Sequence, residues 1–442
     1  MHKLEIKLKQ HTPLIHFQHD QDGATLRASE VKPKLDKFIL KQLGGGDYEK
    51  GKAEAKAKGW LVGKGDHPAL DYKLSIASSA KETDRFSKTR FEADGITPVK
   101  NDKGRIVTDK IPMFFGNMKR GDSAPNGEKR LVFTEKEIKL TFFSLRDDII
   151  KKIDNCYCEF FAITNFGTRQ SKGFGSFYPQ NDVNKPLSKE EFSKYYYFTI
   201  NVNDDNLIDW WHKAFDLFTK IDYFYKSLRS GINQGFYFKS LIFHYAIDCK
   251  QYYDKRKIRQ FYEHFKPYKE EDKGEKNEKT ERRPWTKELD DNSRLYRDML
   301  GLSVSQSWKY YNATVIKESV LPKDEKIVRF KSPLIFKPIY LNEKSVIILV
   351  IPSKIPQKYL NQKFEVISKW DHNRDGYVFK GKNEGKPVPE DLKTPEKFDI
   401  EDFIKYVFEG DGKIIAQSQL KDKKGPIANK LIKIYNGLHS PH

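Results

Sequence analysis

Polar and apolar residues alternate at the start of the chain, from Met1 to Leu8. A period of two is typical of a β-strand with one buried face. The segment also reads as a strand rather than as a signal peptide. We therefore expect a first strand within residues 3–17.

A helical spacing follows this strand. Four apolar residues recur at intervals that place them on one face of a helix: Val31, Leu35, Phe38 and Ile39. The glycine run at 44–46 is expected to end this helix. We predict Ser29 as its N-cap and place Pro33 in its first turn, where the missing N–H costs little.

Strand and helix patterns alternate along the rest of the chain. Strand-like patterns cover 70–77, 130–145, 195–202, 327–339 and 346–351. Helical patterns cover 146–153, 207–228, 238–262, 295–302 and 398–408. The stretch 157–165 fits a helix or a strand, and 44–68 is expected to be a loop. This mixture predicts an α+β fold.

The charge balance points to a polyanionic partner. The chain has 442 residues, and its 81 Lys and Arg outnumber its 62 Asp and Glu, which gives a formal net charge of +19. A membrane partner is not expected, because the longest apolar run, 345–351, has only the length of a strand. The abundant Tyr and Phe, 23 and 31 residues, suit single-stranded nucleic acid, although many rings belong in a core.

The three cysteines favour a reducing, cytoplasmic location: Cys156, Cys158 and Cys249. Cys156 and Cys158 would share one face of a strand, and we interpret them as small buried apolar residues. No second pair of metal ligands lies near them in sequence, so we predict no metal and no cofactor.

The segment from Asn165 to Phe177 combines three glycines with two cations and several aromatic rings. Glycines let backbone N–H groups approach a phosphate, to which Arg169 and Lys172 would add positive charge. In this reading Gly173, Phe174, Gly175 and Ser176 also contact the ligand. The alternative is a glycine-rich turn whose aromatic rings lie in the core.

A second cationic group lies where the first loop enters the predicted helix: Arg27, Ser29, Lys32 and Lys34. Unpaired N–H groups at a helix start favour a phosphate. For Arg27 the alternative is a surface ion pair with Glu30.

Three segments resemble the CRISPR-associated RAMP superfamily. They are Leu26-Arg27-Ala28-Ser29-Glu30-Val31-Lys32 after the first strand, the glycine-rich segment 167–176, and Arg329-Phe330-Lys331-Ser332-Pro333-Leu334. Their order and spacing are most similar to the first-subunit family of the Cmr (type III-B) effector complexes.

The resemblance implies two ferredoxin-like βαββαβ domains, at 1–205 and 291–442, separated by a helical insertion and charged linker at 206–290. It also implies an RNA-binding subunit, not an enzyme, that contacts the 3′ region of a guide RNA, a target RNA and neighbouring RAMP subunits. Arg329 and Lys331 join the expected RNA contacts on this basis.

Two alternatives remain. Some RAMP proteins are metal-independent endoribonucleases that process guide RNA, and His16 and His19 would then supply the acid and base. The other alternative is a scaffold that binds nucleic acid without specificity.

Overall fold

The structure is a computed structural model. It describes residues 1–15, 26–63, 68–78, 84–85, 97, 99–100, 104, 131–180, 187–202, 210–262, 268–269, 293–308, 313–370, 377–378, 383–389 and 392–441. His16 and His19 lie outside these residues, and so does the part of the predicted helical insertion and charged linker that covers 270–290. None of the described helices is long and apolar enough to cross a membrane.

The α+β class is confirmed. The described helices are α1 (Ala28–Leu43), α2 (Tyr48–Ala57), α3 (Asp147–Ile163), α4 (Trp210–Arg229), α5 (Leu241–Asp248), α6 (Asp254–Tyr262), α7 (Ile400–Phe408), α8 (Asp411–Leu420) and α9 (Pro426–Asn436).

The described strands of three or more residues are β1 (His2–Gln10), β2 (Lys73–Ser78), β3 (Leu131–Phe133), β4 (Ile138–Ser144), β5 (Phe177–Pro179), β6 (Tyr197–Asn201), β7 (Ser305–Trp308), β8 (Ala313–Ser319), β9 (Leu334–Tyr340), β10 (Ser345–Pro352) and β11 (Lys363–Trp370). The two-residue strands are Leu14–Ile15, Leu61–Val62, Ala69–Leu70, Asp84–Arg85, Ile232–Asn233, Tyr237–Phe238, Tyr252–Tyr253, Tyr268–Lys269, Ser293–Arg294, Leu302–Ser303, Arg329–Phe330, Tyr377–Val378, Leu392–Lys393 and Leu438–His439.

The chain forms two compact units. The first comprises residues 1–222, 335–351 and 436–442, and the second comprises 223–334 and 352–435.

The first sheet of the first unit has the strand order β2-β4-β1-β5, and each neighbouring pair is antiparallel. Ile6 and Leu8 of β1 and Leu140 and Phe142 of β4 point into the core, which the apolar faces of α1 and α3 complete. This alternation is the one that the first residues of the chain predict.

Helix α1 confirms the predicted spacing and the predicted end at Gly44. Its start differs, because Arg27 occupies the N-cap and Ser29 already lies inside the first turn. Pro33 therefore lies beyond the first turn.

Two predicted helices differ in the structure. The one expected over 238–262 is divided into α5 and α6 by the short strand Tyr252–Tyr253, and the one expected over 295–302 is a 3-10 helix at Tyr296–Leu300.

Two further local predictions were wrong. The segment 44–68 contains α2, which Asp47 caps by accepting hydrogen bonds from the N–H groups of Glu49 and Lys50. Cys156 and Cys158 lie on α3 rather than on a strand, so Cys156 is buried while Cys158 is exposed.

A second sheet of the first unit has the order β9-β10-β6, followed by Leu438–His439. Strand β9 is at its edge, which suits Pro338, because a proline has no N–H to donate to a neighbouring strand.

The second unit contains a six-stranded sheet whose long strands are β11, β8 and β7. Beside it, the buried carboxylate of Asp298 pairs with Lys317 and accepts a hydrogen bond from Gln306 Nε2 at 2.9 Å. A charge pair that is fully buried must find such partners, because an unpaired charge is costly to bury.

Candidate nucleic-acid interface

The glycine-rich segment folds as a tight double bend between α3 and β5. Gly167, Arg169, Gly173 and Gly175 have φ of 72°, 56°, 89° and 66°, which is the left-handed region. Between these turns, Gln170–Lys172 form one turn of 3-10 helix.

At two of these positions only glycine fits, because a side chain would clash with a backbone carbonyl oxygen. A Cβ at Gly175 would lie 2.0 Å from the carbonyl oxygen of Phe166, and one at Gly167 would lie 2.6 Å from that of Ile15. Gly175 therefore lets the two sides of the bend approach each other, and Gly167 lets the bend pack against Ile15.

The amides of these glycines donate within the protein. Gly175 N–H bonds to Pro13 O at 2.8 Å, Gly167 N–H to Glu30 Oε1 at 2.5 Å and Gly173 N–H to Gln170 O at 3.3 Å. These three groups hold the bend in place, and they are not directed at a ligand as the sequence suggested.

Hydrogen bonds to Thr12, which follows β1, and to backbone carbonyls of β9 also fix the bend. Thr12 Oγ1 donates to Gly173 O at 2.6 Å and accepts from Ser176 N–H at 2.9 Å. Ser176 Oγ donates to Pro338 O at 2.6 Å, and Asn165 Nδ2 donates to Phe336 O at 2.8 Å. Two carbonyls of the edge strand β9 thus receive hydrogen bonds from the bend, where no further strand pairs.

A buried lysine completes this anchor. Lys337 Nζ donates to Thr164 O and to Phe177 O, both at 2.8 Å, and its side chain is fully buried. No carboxylate of the described residues pairs with Lys337. Burial, and then the positive charge of Lys34, lower the pKa of Lys337 well below its usual value of 10.5.

Phe174 and Ser176 lie in the core, although the sequence places both among the RNA contacts. The Phe174 ring is 0% exposed and stacks on Phe218 with 3.9 Å between ring centroids. Its ring therefore offers no face to a nucleotide base. Gly173 and Gly175 are buried as well.

The two lysines near the start of α1, Lys32 and Lys34, make contacts within the protein. Lys32 Nζ contacts Asp36 Oδ2 at 3.0 Å and Leu70 O at 2.9 Å, and lies 3.7 Å from the Tyr72 ring centroid. Lys34 Nζ donates to Asn165 O at 3.0 Å and lies 4.7 Å from the centre of the Phe166 ring. Lys34 therefore links α1 to the glycine bend.

Three cations keep part of their side chains in solvent: Arg27, Arg169 and Lys172. Arg27 is the N-cap of α1, and the other two lie on or beside the 3-10 turn. Because Glu30 of α1 accepts the Gly167 N–H, the first turn of α1 and the glycine bend are in direct contact. The structure thus brings the two sequence-predicted cationic groups onto adjoining elements.

Arg329 and Lys331 belong to the second unit. Both are exposed, on either side of Phe330, which is 8% exposed and packs on Tyr359 with 4.3 Å between ring centroids. The pair of residues Arg329–Phe330 forms a short strand with Leu302–Ser303.

The site as described shows no metal-binding arrangement. Within the described ranges, no group of three or more His, Cys, Asp or Glu residues could hold a metal ion.

Two anchors of the bend were not predicted from the sequence: Lys337, and His11, whose backbone N–H donates to Ser176 O at 2.8 Å. His11 Nδ1 accepts the Tyr340 N–H at 3.0 Å, and His11 is 4% exposed. The signal for Lys337 was its position as a lone lysine in the apolar run from Leu334 to Ile339, where a solvated charge has no obvious place.

Comparison with known proteins yields two family matches. The family model of the Cmr1 N-terminal domain matches residues 1–232, and that of the Cmr1 C-terminal domain matches residues 237–432. No curated protein matches the chain.

Two solved structures are similar to this one. Cmr1 from Pyrococcus furiosus, in its apo form, has 11% sequence identity and a TM-score of 0.36, over 81% of this chain and 90% of that chain. A chain of the type III-B Cmr-beta complex bound to cognate target RNA has 11% identity and a TM-score of 0.35, over 80% of this chain and 96% of that chain.

Proposed function

The chain belongs to the Cmr1 family, and we propose that it is an RNA-binding subunit of a type III-B CRISPR effector complex. In this role it contacts the 3′ region of the guide RNA, the target RNA, or both, together with neighbouring RAMP subunits in the cytoplasm. It cleaves no RNA itself.

The observation that carries the RNA-binding role is the contact between α1 and the glycine bend. Arg27, Arg169 and Lys172 lie on these adjoining elements with part of their side chains in solvent. The guanidinium groups can each donate two parallel hydrogen bonds to a phosphate, and Lys172 adds a point charge.

The anchoring of the bend supports a binding role. Asn165, Ser176 and Lys337 hold it to the edge strand β9, so the backbone that carries Arg169 and Lys172 is fixed before RNA arrives. A preorganised site loses less conformational entropy on binding.

Sheet topology supports a ferredoxin-like first domain at 1–205. The elements β1, α1, β2, β4, α3 and β5 occur along the chain in the βαββαβ order, with α2 and β3 as additions, and the strands lie as β2-β4-β1-β5 with antiparallel pairing. A second such domain at 291–442, after a helical insertion at 206–290, is the remaining part of this proposal.

Exposed Arg329 and Lys331 are proposed as further RNA contacts of the second unit. Two cations beside a partly exposed Tyr359 would suit a phosphate with a neighbouring base.

Co-purification tests the proposed function. The tagged full chain, expressed with the other subunits and a CRISPR array, is expected to bring down RAMP subunits and guide RNA. Recovery of the chain without either one would contradict the proposal.

A cleavage assay separates binding from processing. The purified chain is incubated with repeat-containing RNA in EDTA, and we expect the RNA to stay intact. Site-specific cleavage that disappears in His16→Ala or His19→Ala would instead establish the endoribonuclease.

A further inference from the structure

We infer that the open face of strands β2, β4 and β1 is a second RNA-contact surface, separate from the α1–glycine bend. This inference rests on the proposed RNA-binding function and adds a surface that the sequence motifs do not mark. We call it the lysine face, and its members are Lys3, Lys7, Lys9, Lys73, Lys139 and Phe143.

Strand register places these side chains on one side of the sheet. Lys3 lies opposite Phe143, which lies opposite Lys73, and Lys7 lies opposite Lys139. Residues directly opposite each other on neighbouring strands point to the same face. The alternate residues of β1 and β4 fill the core on the other side, so this face is turned to solvent.

The lysine face is exposed over most of its area. The side chains of Lys3, Lys7 and Lys139 are 50%, 62% and 44% exposed. Lys9 and Lys73 are also exposed, and the Phe143 ring is partly exposed with Lys3 Nζ 5.9 Å from its centre. Ser75 and Ala77 on the edge strand β2 have small side chains, which do not cover this face of the sheet.

The charge of this face is positive after its internal ion pairs are counted. Glu5 lies 2.5 Å from Lys3 Nζ and 2.7 Å from Lys139 Nζ, and Glu137 lies 3.1 Å from Lys7 Nζ. In the part of the chain that the structure describes, no carboxylate pairs with Lys9 or Lys73. Five lysines against two glutamates leave an excess of positive charge that complements a phosphate chain.

The geometry suits a single strand of RNA. From Lys3 to Lys9 the strand spans roughly 20 Å, at about 3.3 Å per residue, which gives room for several phosphates. An open four-stranded sheet with a ring on its face is also a known way of binding unpaired bases.

The lysine face leads into the first site. Strand β1 ends at Gln10, and the next residues, His11 and Thr12, bond directly to Ser176 and Gly173 of the glycine bend. An RNA strand that leaves the bend along β1 therefore meets Lys9 first and Lys7 next.

The lysine face has five lysines and a single aromatic ring, Phe143, and this composition predicts which parts of an RNA it contacts. Phosphate contacts should dominate, so binding here should depend strongly on salt and weakly on base sequence.

The test is RNA affinity at several salt concentrations. Fluorescence anisotropy with a labelled 20-nucleotide oligouridine compares the full-length wild type with the triple variant Lys7→Gln, Lys9→Gln, Lys73→Gln. We expect about a tenfold weaker affinity near 100 mM salt, and a log–log salt slope that is shallower by about 2, since each contact on a single strand contributes about 0.7.

A matched variant controls for the loss of net charge. Lys37, Lys41 and Lys56 are exposed on α1 and α2, away from this sheet face, and Lys37→Gln, Lys41→Gln, Lys56→Gln removes the same three charges. We expect less than about a twofold change for the control. Circular dichroism and thermal unfolding verify that both variants fold like the wild type.

The outcomes separate this inference from the proposed function. Equal effects of the two triple variants would overturn the lysine face while leaving RNA binding intact. Unchanged RNA affinity together with loss of a partner subunit on co-purification would also overturn it, because the face would then bind an acidic protein. A wild type that binds no RNA would contradict the proposed function itself.

Discussion

The glycine-rich segment has an inner half and an outer half that use similar residues differently. Gly173 to Ser176 are buried, and their polar groups bond to Thr12, Gln170 and Pro338. Arg169 to Lys172 form a turn whose side chains are partly in solvent. The same motif thus supplies an anchor on one side and a cationic surface on the other.

The lysines around the segment differ in the same way. Lys337 is fully buried and donates to backbone carbonyls at the two ends of the bend, whereas Lys172 is half-buried. A lysine near a glycine loop therefore serves the fold or the ligand according to its burial, and its type alone does not decide between them.

The largest expected effect comes from the inner half. Phe174→Ala removes a fully buried ring that stacks on Phe218, and should lower the free energy of unfolding by about 4 kcal/mol. Urea denaturation measures this loss. The RNA affinity of the variant, measured where it remains folded, should stay within about twofold of the wild type.

An exposed ring provides the control for Phe174. Tyr237 is 63% exposed, so Tyr237→Ala should change the free energy of unfolding by no more than about 0.5 kcal/mol. If Phe174→Ala weakened RNA binding but not stability, the ring would be a base contact after all.

Gly175→Ala is expected to have the next largest effect. The added Cβ would lie 2.0 Å from Phe166 O at a residue with φ of +66°, and the combined clash and strain should cost about 3 kcal/mol. Gly45→Ala isolates the backbone term, because Gly45 has φ of +61° and no atom within 4 Å of the added Cβ.

For Gly45→Ala we expect a cost of about 1 kcal/mol in the free energy of unfolding. Equal costs at the two glycines would show that Gly175 is not in close contact with Phe166 O, which would contradict the tight packing of the inner half.

A smaller effect concerns pH. Burial, and then the charges of Lys337 and Lys9, lower the pKa of His11 well below 6.5. Below pH 6.5 His11 therefore binds a proton in the unfolded chain but stays neutral in the folded chain until the pH reaches its lowered pKa. The free energy of unfolding should fall by up to about 1.4 kcal/mol per pH unit from pH 6.5 down to the lowered pKa. Above pH 6.5 His11 is neutral in both states, and no stability is lost on its account.

His11→Asn tests this contribution, because an amide oxygen can accept the Tyr340 N–H and does not titrate. Thermal unfolding of wild type and variant is compared at several values from pH 7.5 to pH 5. The difference between the two should shift in favour of the variant as the pH falls below 6.5. A difference that stays constant over this range would show that His11 takes up its proton in the folded state.

Much of the fold could be predicted from the sequence. The spacing of Val31, Leu35 and Ile39 and the glycines after Leu43 correctly predicted α1, because both signals are local. Helix α2 was missed although Asp47 and a run of Ala, Lys and Glu mark it, since the glycines before it suggested a loop.

The contacts within the candidate site were harder to predict from the sequence. Lys32 could be paired with Asp36 by its spacing of four residues, but its bond to Leu70 O depends on tertiary packing. The burial of Phe174 and the bond from Lys337 to Phe177 O likewise depend on partners more than 40 residues away. The alternation of Lys3, Lys7 and Lys9 was visible, but only the register with β4 and β2 shows the face that they share.

The most direct test of the outer half is the RNA affinity of the double variant Arg169→Ala, Lys172→Ala, beside the control Lys37→Ala, Lys41→Ala, which removes two exposed charges from α1. Anisotropy titration with a single-stranded RNA should show about tenfold weaker binding for the first variant and less than about a twofold change for the control, with unfolding curves like that of the wild type. Equal affinities of the two variants would contradict the account, because the bend would then be a structural turn and nothing more.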